Sequence, residues 1–105
     1  MLYVKNLNSE RSGREVANQF VIETTGEYYF QSYNSLVAKV KYTGHGWTLA
    51  LGPDWDYSRT TMKHLHAFLR EYWDCSWNGS AEDLRRMAKK GLIKMFDTET
   101  ELEAF

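Results

Sequence analysis

The strongest constraint on this chain is a change of hydrophobic period just past its middle. Up to Leu51, apolar residues alternate with polar ones in short runs broken by glycine and asparagine, as in strands and turns. From Arg59 they recur every three to four residues, as in helices. Between the two lies Gly52-Pro53-Asp54-Trp55-Asp56-Tyr57-Ser58. Pro53 is the only proline, and without an N–H to donate it cannot sit in a central strand. The pattern therefore predicts an α+β fold: an antiparallel meander of four or five strands, one long helix packed on it and a second, shorter helix.

In chain order, Leu2-Tyr3-Val4 predicts a short strand and Asn6–Gly13 a polar loop. Val16–Glu23 and Glu27–Tyr33 form a hairpin around Thr24-Thr25-Gly26. Val16, Phe20 and Ile22 are expected to face the core, with Asn18 the odd polar member of that set. Leu36, Ala38, Val40 and Tyr42 mark one face of the next strand, and Trp47, Leu49 and Leu51 one face of another.

Ser58 is the expected N-cap of a helix over Arg59–Trp73. At 100° per residue, Thr61, Met62, Leu65, Phe68, Leu69, Tyr72 and Trp73 share a stripe about 140° wide. Ser80-Ala81-Glu82-Asp83 resembles a capping box, with Asp in place of the usual Glu, and opens a helix to about Lys90, closed by Gly91. Leu92–Phe96 predicts a last short strand, and the acidic segment from Asp97 a loose tail. A chain of 105 residues with no internal repeat predicts one domain over 1–105.

The formal charge of −1 hides an asymmetry. Four of the 14 acidic residues, Asp97, Glu99, Glu101 and Glu103, fall in the last nine positions, so residues 1–96 carry about +3. That balance is too mild to imply nucleic acid by itself. A single cysteine, Cys75, excludes an internal disulfide and fits a reducing cytoplasm. The first residues lack the apolar run of a signal peptide, and no run approaches the 18 apolar residues of a membrane span.

The residues with chemical potential each have a plainer explanation. His64 and His66 point about 200° apart on a helix and cannot share an ion. Asp54 and Asp56 suit a chain turn and a helix start better than a cation loop. Cys75, just past a helix C-terminus, gains no help toward thiolate. Thr43-Gly44-His45-Gly46 is a hairpin turn, not a phosphate loop. No catalytic residue, metal or cofactor is expected, nor a small-molecule ligand.

Two features point instead to a macromolecule. Arg59, Lys63, His66 and Arg70 share one edge of the first helix, at about +100° to +160° from Leu65. Arg85 and Lys89 line one edge of the second and Arg86 and Lys90 the next, and Glu82 can pair with Arg86 at i,i+4. Aromatic content is 15%, high for a thin core. Trp47, Trp73 and Leu69 belong to the core by pattern. Trp55, Trp77, Tyr28 and Tyr57 are less easily placed. Core or turn packing is the default for each, and an exposed pair would anchor a partner.

Several phrases give this reading a context. Lys5-Asn6-Leu7, Ser12-Gly13-Arg14-Glu15-Val16-Ala17-Asn18-Gln19-Phe20, Phe30-Gln31-Ser32-Tyr33 and Asp56-Tyr57-Ser58-Arg59-Thr60-Thr61 together resemble a family of small proteins of unknown function. These are encoded by phages and mobile elements of Gram-positive bacteria. The resemblance runs from about residue 5 to 72 and carries no catalytic residue with it. It implies an accessory protein in the cytoplasm of a bacterial host. Such a protein would bind a host protein, for instance a defence nuclease in the manner of an anti-CRISPR inhibitor, or, alternatively, nucleic acid through the basic helix edges. The expected contact residues are Trp55, Tyr57, Arg59, Lys63, His66, Arg70, Trp77, Arg85 and Lys89.

Overall fold

The structure, a computed structural model, describes residues 2–105. It is an α+β fold built on one six-stranded sheet: β1 (Tyr3–Asn8), β2 (Glu15–Thr24), β3 (Glu27–Ser32), β4 (Ser35–Tyr42), β5 (Trp47–Leu51) and β6 (Lys94–Met95), in sequence order across the sheet. Neighbours are antiparallel except β5 and β6, which are parallel. Parallel pairing needs a crossover. Here it contains α1 (Arg59–Tyr72) and α2 (Ala81–Lys89), and α3 (Glu99–Ala104) follows β6. Among the described residues, no helix is long and apolar enough to cross a membrane.

The sheet has one strand more than the upper expectation, and β1 is longer. The segment from Asn6, expected as loop, continues the strand to Asn8 and buries Leu7. The loop proper begins at Ser9, whose carbonyl accepts from the Gly13 N–H.

Helix α1 starts where the sequence places it. The Ser58 hydroxyl oxygen accepts from the Thr61 N–H at 3.1 Å. Leu65, Phe68 and Leu69 are fully buried against the sheet, and Phe68 stacks on Phe30 of β3 at 5.6 Å. Helix α2 has the expected box: Ser80 accepts from the Asp83 N–H while Asp83 accepts from the Ser80 N–H. The Glu82–Arg86 pair that the spacing allows is not among the ion pairs of the described residues. Arg86 bonds Asp83, itself a member of the box, at 2.9 Å, and Glu82 lies 3.7 Å from Arg85.

Two strand faces differ from the simple alternation. Asn18 adopts φ 63, the left-handed region, and the pairing of β1 with β2 shifts register nearby, between Asn6 and Asn8. Beyond this kink the expected set is inverted. Val21, opposite Phe30, faces α1, whereas Ile22 lines the far side of the sheet with Glu99 and Glu103. In β4 a bulge at Val37 sends Leu36 to that far side too, while Ala38 and Val40 keep the α1 side.

The far side is covered by α3, so the segment from Asp97 is not a loose tail. Thr98 caps the helix by accepting from the Glu101 N–H, Leu102 is fully buried, and a Glu99 carboxylate oxygen accepts from the Leu36 N–H at 2.8 Å. Lys39, only 2% exposed, donates to the Glu103 carbonyl at 2.9 Å and lies 3.4 Å from Glu27. The sequence missed this helix because a six-residue acidic segment has one apolar anchor and no period to detect.

Six of the 16 aromatic residues form one network. On the α1 side Tyr42, Trp47, Tyr28, Tyr72, Phe68 and Phe30 follow one another at centroid spacings of 4.8–5.6 Å. Trp47 is part of it but lies at the rim, 39% exposed, with its carbonyl accepting from the Trp73 indole N–H. The excess of rings is thus largely used internally.

Candidate interaction groove

The residues expected to meet a partner divide into those the fold consumes and those it leaves free. Trp55 is consumed: it is 6% exposed, within the core, and the Arg85 guanidinium lies over its ring at 5.1 Å. Arg85 also bonds Asp56 at 3.0 Å, which ties α2 to the loop before α1. Trp77 is half-buried, and its indole N–H donates to His66 Nδ1 at 2.9 Å, with the two ring planes 16° apart. Arg70 donates through Nε and Nη2 to both carboxylate oxygens of Glu10, 2.6 Å each. That fork-to-fork pair is the strong geometry for an ion pair, and it holds the Glu10 carboxyl below its ordinary pKa. Sequence separation hid it, since Glu10 and Arg70 lie 60 residues apart.

Three of the expected cations remain free. Arg59, Lys63 and Lys89 are exposed and have no ion pair among the described residues. The basic edge is therefore reduced rather than abolished.

The His66–Trp77 bond requires a neutral imidazole, because protonated Nδ1 cannot accept. Burial, and next Arg70, hold the His66 pKa below the ordinary 6.5, against a smaller upward pull from Glu10. The unfolded chain thus binds this proton more readily. Stability from this group is present above pH 6.5 and is lost as pH falls below it. Thermal melts at pH 7.5 and 5.5 should show a larger loss for the wild type than for His66→Gln. An equal loss in both would remove the bond from the argument. His64→Gln serves as the control, since burial and Lys63 hold His64 low as well.

A groove of about 430 Å³ lies where the β3–β4 turn meets the segment leading into α1. It is lined by Ser32, Tyr33, Asn34, Ser35 and Val37 on one side and by Asp54, Tyr57, Ser58 and Thr61 on the other. Tyr57 is 80% exposed and Tyr33 is 58% exposed, and neither ring packs on another. Ser32 pairs with Ser35, so Tyr33 and Asn34 form a two-residue hairpin turn. Tyr33 has φ 54, a conformation that glycine adopts freely and a tyrosine only at a cost of about 1 kcal/mol or more. Its N–H donates to the Asn18 carbonyl at 2.7 Å. Three phrases singled out in the sequence thus meet here: Asn18-Gln19 beside Ser32-Tyr33, facing Tyr57-Ser58 and Thr61. Of these only Tyr57 was expected as a contact residue. Tyr33 was hidden because nothing in the sequence marks a tyrosine for a left-handed turn.

The chain belongs to a family of unknown function, DUF8033, which matches residues 4–88. The match extends past Trp73, where the phrase resemblance fades, through almost all of α2, and stops before β6 and α3. Neither the curated proteins nor the solved structures contain a match to the chain.

Proposed function

We propose that this is a non-enzymatic accessory protein that acts by binding another protein through the Tyr33–Tyr57 groove. The observation that carries the reading is the pair of exposed, unstacked tyrosines at the rim of a groove, in a molecule whose other rings are largely used internally. Tyrosine supplies large contact area at low entropy cost and is enriched where binding energy concentrates. The lining offers hydroxyls, but no histidine or lysine lies in it to activate one. The finer reading places the protein in a phage or mobile element of Gram-positive bacteria. There it works in the host cytoplasm and blocks a host protein such as a defence nuclease. That part rests on the resemblance of the phrases alone.

Nucleic-acid binding is the second reading, favoured by the free cations Arg59, Lys63 and Lys89. It is weakened because Arg70, Arg85 and Arg86 already hold carboxylates of this chain. One experiment separates the two. Tagged protein is used to capture partners from a lysate of the source cells, with and without nuclease. A protein partner that survives nuclease, is lost with Tyr57→Ala and is kept with Lys63→Ala supports the groove. Direct binding to random duplex DNA would reverse the preference. That binding should fall steeply with salt, with a log–log slope of about −0.9 per phosphate contact, and should be lost with Lys63→Ala.

A further inference from the structure

The lining of the groove constrains its occupant. Among the described residues Asp54 is its only formally charged one, and the Asp54 carboxylate makes no hydrogen bond or ion pair with any of them. Among the described residues no lysine or arginine lines the groove. Two tyrosine faces stand at the rim, where the negative face of each ring attracts a cation. The lining adds acceptors in the hydroxyl oxygens of Ser32 and Ser35. The N-terminus of α1 opens nearby and would favour an anion, but Ser58 already occupies the Thr61 N–H there, and the Asp54 carboxylate would repel one.

We infer that the groove takes a cationic side chain, an arginine or lysine presented by a loop of the partner protein. The ammonium or guanidinium meets the Asp54 carboxylate, its alkyl stem lies along Val37, and the rings of Tyr33 and Tyr57 flank it. An arginine fits best, because its planar fork stacks on aromatic faces and donates to several acceptors at once. This inference rests on the protein-binding reading above and names the chemistry of that partner.

The test uses the whole chain and short blocked peptides. Backbone amide NMR spectra are followed while acetylated, amidated Gly-Arg-Gly, Gly-Lys-Gly and Gly-Glu-Gly, and separately inorganic phosphate, are added. The expected result is a saturable shift of the Tyr33, Asp54 and Tyr57 amides with the arginine peptide and a weaker one with lysine. Asp54→Asn should weaken the arginine response about 10-fold, the size of one lost charge-assisted hydrogen bond. The substitution keeps the local turn, which uses the Asp54 backbone carbonyl as acceptor for the Tyr57 N–H. Tyr57→Ala, at a highly exposed position, gives a second reduction without risk to the fold. Shifts at these amides with the glutamate peptide or phosphate, and not with arginine, would overturn the inference while leaving the groove as a protein-binding site. No response to any probe would also overturn it, and the capture experiment would then judge the protein-binding reading on its own.

Discussion

Phe68→Ala should cost about 3–5 kcal/mol of folding stability. The ring is fully buried in the middle of α1, stacked on Phe30 and 5.2 Å from Tyr72, so it joins the helix to the centre of the sheet. Truncation removes its transfer free energy and leaves a cavity that β3 and α1, both held by backbone hydrogen bonds, cannot close. A domain of this size has a total stability of about 5–15 kcal/mol, so the loss is a large fraction of the whole. Urea denaturation should give a much lower midpoint at an unchanged slope, and the melting temperature should fall by about 15 °C or more. A loss under about 1 kcal/mol would mean that α1 does not pack on β3 as described.

Phe68 also marks what the sequence makes visible. Its stripe is repeated over four turns, and the strand pattern before Pro53 is repeated over several strands, so each element has many residues agreeing on one period. The caps are legible for a related reason, since Ser58 and Ser80 act within three residues of themselves. What stays hidden depends on single residues or on distance. One asparagine in the left-handed region inverts the faces of β2, and one extra residue at Val37 does the same to Leu36. The bond between Arg70 and Glu10 joins segments 60 residues apart, so neither residue announces the other. The candidate groove is hidden twice over. Tyr33 reaches it from a hairpin turn and Tyr57 from a loop beyond two further strands, and only the folded sheet brings the two together.

The effect of a single anchor is largest at α3. Leu102→Ala should cost about 2–5 kcal/mol, although the helix that carries the residue is only six residues long and is acidic in its first turn. Leu102 is fully buried and packs on Gly52, where a Cβ would come within 2.9 Å of Leu102 Cδ2. The glycine at the end of β5 thus admits the leucine to the sheet surface. More depends on this contact than one side chain. Helices this short do not persist in water alone, so loosening Leu102 releases α3. The Lys39 ammonium then loses its acceptor on Glu103, and the Leu36 N–H loses the Glu99 carboxylate. Breaking the partners of a buried charge is among the costly changes open to a small domain. Thr100→Ala, on the exposed side of the same helix, should stay within about 0.5 kcal/mol of wild type. Chemical denaturation of both variants decides the matter. Equal, small losses would return residues 97–105 to the status of a tail, whereas a large loss confined to Leu102 makes α3 the cover on the second face of the sheet.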